Sequence, residues 1–256
     1  MSPHTSLFWL WLKRDIKSRY AGSFIGLLWA ILGPLLTIAM FYVLFAHIFK
    51  VRIPELASDT GFLYHLLAGM LPWLAIAEGL SRSTGVLVAH EQFLQKQAFP
   101  IGVLPATTVM AALLPQLIGS LLFIALLIGA GLFHPDALIA LPFLLAAQIA
   151  MTLGLGMALS IFAVHLRDLM HAVPISMQFL LYATPILYPL SMVPAEYHHL
   201  YLLNPFACLT LAYQAAFLQT PIEGVFLLGL AAWSIVLGAG GYTLFRLLKP
   251  TVGEVL

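Results

Sequence analysis

His90 and Glu91 start an H-E-x-x-H zinc-protease motif, but position 94 is leucine, so the second ligand is missing. His198 and His199 are adjacent; on a helix such neighbours point to different faces, which reads as a pair of interfacial side chains before it reads as a metal site. The nine histidines show no ligand spacing, and the one cysteine, Cys208, has no second cysteine to pair with. A G-x-x-x-x-G-K-[ST] phosphate loop, a G-x-S-x-G elbow and a nucleophile beside a positioned base are all absent from the sequence. These residue types therefore point away from catalysis, a metal centre and a nucleotide site in this chain.

Charges and amides in apolar surroundings are what remain, and such groups are costly enough to be functional candidates. Lys13, Arg14, Lys17 and Arg19 place four cations within seven residues, directly before a long apolar run. Glu78 precedes Arg82 by four residues, the spacing of an end-of-helix ion pair. Arg167 and Asp168 form an isolated charged turn, read first as a topology signal with a local pair and second as a coupling element. His65, Gln116 and Gln148 lie inside apolar segments with no acidic site beside them.

The elements that carry these groups follow from composition. Of 256 residues, 62% are hydrophobic and 8% charged, with a mean hydropathy of +1.00; a soluble domain carries charge on about a quarter of its residues. The chain therefore reads as an all-α polytopic membrane protein in a single transmembrane domain. A net charge of +1, with the eleven Lys and Arg scattered at segment ends, argues against a nucleic-acid partner. Six spans are expected at 25–49, 62–80, 107–132, 138–165, 173–188 and 225–248, the fifth being short for a core that needs about 20 residues. Of eleven Lys and Arg, all but Lys50 and Arg52 then fall on one side, which the positive-inside rule makes cytoplasmic, with both termini. No cleavable signal sequence is expected, because the apolar run at 7–12 precedes the cations.

Before the first span, residues 1–22 read as an amphipathic interface helix, with Trp9, Leu12, Ile16 and Tyr20 along one stripe and the cations elsewhere. On physics alone, the preferred purpose of the collar is anchoring to anionic lipid. Gly22 and Gly26 have the spacing either of close helix packing or of a hinge; Gly154 and Gly156 are expected to allow close packing in the fourth span. A second short amphipathic helix is expected within the cytoplasmic segment 81–106, ending at Phe99-Pro100. Residues 189–224 are too apolar for a solvated loop, and Asn204-Pro205 splits them into pieces too short to cross, so short re-entrant helices are expected. Pro34, Pro72, Pro115 and Pro185 are expected inside bent helices. Tyr182, Tyr188, Tyr197, Tyr201, Phe206 and Tyr213 gather towards the outer face, as an interfacial belt does.

In order along the chain, these features resemble a known family. An R-D/E-x-x-x-R-Y-x-x-S-x-x-G-x-x-W core stands here as Arg14, Asp15, Arg19, Tyr20, Ser23, Gly26 and Trp29, with Pro34 beyond it. There follow Phe99-Pro100, Arg167-Asp168, a T-P-I-L-Y-P run from Thr184 to Pro189, Asn204-Pro205 and a V-G-E-V-L tail. The whole chain is similar to the membrane subunits of ATP-binding-cassette exporters of cell-surface polysaccharide: O-antigen, capsule or teichoic acid.

The resemblance implies a homodimer around a continuous channel in the bacterial inner membrane, moving a lipid-linked polysaccharide outward. Two separate cytoplasmic ATPase subunits would drive it, and ATP and magnesium would be bound by those subunits, leaving no cofactor in this chain. It assigns ATPase docking to Lys13, Arg14, Lys17, Arg19, Glu91, Gln92 and Lys96, and a cytoplasmic gate to Phe93, Phe99 and Pro100. Arg167 and Asp168 become a coupling turn, and Tyr182, Tyr188, Tyr197, Tyr201 and Phe206 the channel and outer-gate aromatics. A drug or lipid permease of the same superfamily shares the hydrophobic architecture. An ion-coupled secondary transporter would need charged or polar groups at span centres, where only His65, Gln116 and Gln148 stand.

Overall fold

The computed structural model describes residues 3–19, 21–51, 53, 60–94 and 99–252, which fold into helices with no strand among them. In chain order these are α1 (Pro3–Arg19), α2 (Trp29–Tyr42, continued by a π-helical turn, Val43–Ile48), α3 (Gly61–Ala89) and the single turn α4 (Glu91–Leu94). Then come α5 (Val103–Gly129), α6 (Asp136–His165), α7 (Leu169–Tyr182), α8 (Pro205–Leu218) and α9 (Gly224–Leu248). This is an all-α, multi-pass membrane protein: α2 with its π-helical turn, α3, α5, α6 and α9 are each long and apolar enough to cross a bilayer.

α3 is the axis of the bundle. Its most apolar window is 78% buried, against 11% for α2 and 17% for α9, so the latter two present most of their apolar surface outward. Alanines and glycines set the closest seam, between α6 and α9. A Cβ on Gly154 would collide with the Leu237 carbonyl, and one on Gly241 with the Gly154 carbonyl; only backbones without side chains approach this closely. Gly156 in turn makes room for Ser83 of α3.

Several boundaries differ from the sequence expectation. α3 does not stop near Leu80 but runs to Ala89, so the first part of segment 81–106 continues the second span. Ser81, Arg82 and Ser83 look like a loop only to hydropathy; helix propensity does not end there, and the last turns of α3 pack on α1 and α5 through Val86 and Leu87. The fifth span is shorter than its apolar run: α7 has 14 residues, about 21 Å at 1.5 Å per residue. Pro185 consequently lies beyond the helix end instead of inside it; Pro34, Pro72 and Pro115 are internal.

Between α7 and α9, a 3-10 segment Ala195–Leu203 meets α8 at 112°. Asn204 sets that corner: its Oδ1 accepts from the Phe206 N–H at 3.0 Å, capping α8, while Pro205 fills the first helical position, where a missing N–H costs nothing. α8 then enters the bundle, with Phe206, Tyr213 and Phe217 buried, and Gln219 in the left-handed region closes it before α9.

Candidate functional site

Three clusters of polar or aromatic side chains line up along α3, from the end that carries the collar to the opposite end.

At the collar end, α1 turns the row Trp11, Asp15, Arg19 towards the bundle, about a quarter-turn from the apolar stripe of Trp9 and Ile16; Trp9 stays 49% exposed. Arg19 Nε donates to Asp15 Oδ2 at 3.0 Å, one terminal nitrogen donates to Glu78 Oε1, and the other reaches the Thr108 carbonyl at 3.0 Å. Asp15 also accepts from Arg82 at 3.2 Å. The pair foreseen between Glu78 and Arg82 is thus replaced by a network in which each binds α1. The reason is geometric: α1 lies where Arg19 reaches Glu78 and Asp15 reaches Arg82, and the buried guanidinium needs acceptors for its N–H groups.

Arg19 therefore departs from the other collar cations. Its side chain is 3% exposed, so it ties α1 to α3 and α5 and is not available as a docking charge. Lys13, Arg14 and Lys17 are exposed, with the Arg14 guanidinium 4.7 Å from the Trp11 ring centroid. Trp11 also meets His90 edge-on at 5.4 Å and Phe99 at 5.7 Å. The collar helix and the Phe99-Pro100 segment, distant in sequence, are one packed unit. Glu91 and Gln92 are exposed on α4, which also carries Phe93; Lys96 and Tyr20 lie outside the described residues. Gly22 and Gly26 have φ of +79° and +58° with nothing within 4 Å of a built Cβ, so among the described residues of this subunit they form no packing seam.

From Glu78 a groove of about 640 Å³ runs between α2, α3 and α7 to Tyr182 at the other end. Pro34, Thr37, Trp73 and Gln178 line it, and Tyr182 is 59% exposed at its far mouth. Beside it, in the dry interior, Gln116 and Gln148 exchange two amide hydrogen bonds of 2.8 and 2.7 Å, and the Tyr213 hydroxyl donates to Gln148 Oε1 at 2.7 Å. These polar groups hold α5, α6 and α8 together. Tyr213 is thus a core residue, and Phe206, buried edge-on against Trp73 at 5.8 Å, belongs to the core and not to an exit lining.

At the far end the T-P and N-P motifs meet. Asn204 Nδ2 donates to Thr184 Oγ1 at 3.0 Å and to the Ala183 carbonyl at 3.2 Å. The Tyr188 hydroxyl donates to the Tyr182 carbonyl at 3.0 Å and lies 3.0 Å from the Tyr201 hydroxyl. This clasp folds the segment after α7 over the groove mouth. Tyr197 is exposed beside it. Arg167 and Asp168 sit exposed in the α6–α7 turn, and among the described residues neither has an ion pair.

Sequence reasoning missed the Arg19–Glu78 and Asn204–Thr184 pairings. The signal for the first was present, an acid inside a span and a cation at the end of an amphipathic helix, but its partner could not be chosen. Comparison with known proteins places the chain among membrane transport proteins. Residues 6–218 match the ABC-2 type transporter family. The chain is 31% identical over 246 residues to the O-antigen export system permease protein RfbA of Myxococcus xanthus, covering 95% of this chain and 92% of the relative. It is 29% identical to the protein of the same name from Klebsiella pneumoniae, with the same coverage. To the polysialic acid transport protein KpsM of Escherichia coli it is 25% identical, over 91% of this chain and 90% of that one.

Proposed function

This chain belongs to the ABC-2 type transporter family, and from that premise we propose that it is the channel-forming permease subunit of an ATP-driven exporter that carries a lipid-linked polysaccharide across the bacterial inner membrane. Both termini, and so the collar, face the cytoplasm in this reading. The observation that carries it is the groove from Glu78 to Tyr182. It lies next to α2, only 11% of whose apolar window is buried within the subunit. Two copies facing each other turn two such grooves into one channel.

Two cytoplasmic ATPase subunits bind ATP and magnesium and dock on the exposed Lys13, Arg14, Lys17, Glu91 and Gln92, with Lys96 in the same stretch. Their closure moves α1, and through the Trp11–Phe99 contact it moves the segment of Phe93, Phe99 and Pro100, the gate on the cytoplasmic side. Arg167 and Asp168 couple the α6–α7 turn. Tyr182, Tyr188, Tyr197 and Tyr201 form the outer gate.

Co-purification with the cytoplasmic ATPase, together with glycan export in cells, tests this reading. The expectation is a stable complex, and export that stops when this chain is deleted. Normal export after deletion, or no ATPase association in detergent, overturns it. Charge reversal at Lys13 and Lys17 is expected to weaken ATPase association while leaving membrane insertion intact.

A further inference from the structure

At the far end, apart from the groove, a pocket of about 350 Å³ opens between the start of α3, the 3-10 segments, α8 and the α8–α9 turn. Its volume lies at the lower end of the range for ligand sites, about 300–1,000 Å³, and suits one ring better than a chain. Its floor holds Gln214, 3% exposed, brought close to α3 because position 69 is glycine. Both amide hydrogens of Gln214 are used: Nε2 donates to the Pro185 carbonyl at 2.9 Å and to His65 Nε2 at 3.2 Å. Oε1, the remaining acceptor, takes no hydrogen bond among the described residues. That oxygen is not sealed off, so it is an acceptor open to a ligand in the pocket.

The rim has the same character. His198 Nε2 donates to the Val193 carbonyl at 2.9 Å, which leaves its Nδ1 an acceptor. Glu223 lines the pocket as well, and although it occupies the N-cap of α9 its carboxylate makes no cap bond. Against three acceptors stand only the hydroxyls of Ser191 and Thr220, with Leu211 and Phe226 as apolar wall. The site therefore calls for a ligand rich in O–H donors, with an apolar C–H face and no negative charge.

We propose that this pocket binds one neutral sugar ring of the exported glycan as it leaves the groove. The inference rests on the function proposed above. Continuity supports it: the Tyr188 hydroxyl bonds the Tyr182 carbonyl at the groove mouth, and the next residue, Pro189, already lines the pocket. Glu223 repels a uronate or sialate at this position, so the site sorts neutral from acidic units.

The full chain in nanodiscs, titrated with methyl α-glucopyranoside, methyl α-mannopyranoside, methyl glucuronide and ethanolamine by saturation-transfer NMR, tests this. Transfer is expected to at least one neutral glycoside and to neither the uronide nor ethanolamine. Gln214→Leu is expected to weaken it about fivefold, the loss of one hydrogen bond, and Ser191→Trp, which fills the pocket from its exposed rim, to abolish it. Glu223→Gln is expected to admit the uronide. Equal transfer in wild type and Ser191→Trp, no transfer to any glycoside, or a preference for uronide or ethanolamine overturns the proposal. Wild-type export, measured in parallel, separates the two levels: export without binding sinks the pocket alone, whereas binding without export sinks the exporter reading.

Discussion

At the collar end Arg19, Asp15, Glu78 and Arg82 fasten α1 to the bundle with charges; at the far end Asn204, Thr184, Tyr188 and Tyr201 close the loop with neutral hydrogen bonds. The charged network has a guanidinium withdrawn from water at its centre, while its carboxylates, Asp15 and Glu78, keep 18% and 37% exposure. The neutral clasp is made of hydroxyl and amide groups whose net worth is about 1 kcal/mol each. Neutral bonds of that size are also less costly to break than charged ones. The first end suits firm transmission, the second easy exchange.

Removing the centre of the charged network is the severest test of that contrast. Arg19→Met is expected to lower stability in detergent by about 1.5–3 kcal/mol, the loss of charge-assisted hydrogen bonds whose carboxylates stay partly in water, with Glu78→Gln in the same chain restoring part of it. Asn204→Ala removes both the cap of α8 and the clasp and is expected to cost about 1–2 kcal/mol, unchanged by salt. If denaturation shows Asn204→Ala to be as damaging as Arg19→Met, the contrast is broken. Gly26→Ala, at φ +58°, is expected to cost about 1 kcal/mol through backbone strain, readable as a small shift of the same transition. Smallest is Arg82→Gln: the Arg82 side chain is 42% exposed, and its contribution, at most about 1 kcal/mol, is expected to vanish at about 1 M salt, where the screening length falls to about 3 Å.

Much of the fold was legible because a bilayer imposes length and apolarity, and runs such as 25–49 and 225–248 can hardly do anything else. Legibility failed where hydropathy and helix formation part company: Arg82 ends the apolar run of α3 but not its helix, and the run at 173–188 outlasts α7. The corner at Asn204-Pro205 was readable, since proline chemistry is local. Which way a side chain turns was not. Arg19 looked like its neighbours Lys13 and Lys17, and Phe206 and Tyr213 looked like the exposed Tyr197, because burial depends on what another helix brings to meet them. Gly22 and Gly26 left hinge and seam open, and their positive φ and empty surroundings show that no seam forms among the described residues of one subunit.

That stretch has a mechanical consequence. α1 is the chain's immediate lead-in to α2, yet the covalent connection runs through two positive-φ glycines with no packing neighbours, while the side-chain connection, Arg19 with Glu78 and Thr108, goes sideways to α3 and α5. A load applied to α1 is therefore passed first to helices remote in sequence, and reaches α2 through its packing on α3 and α5. Because α2 and α7 flank the groove with α3 between them, a displacement of α3 is expected to change the distance between those two walls. Spin labels across those walls are expected to report a distance change on ATPase closure that Arg19→Met removes.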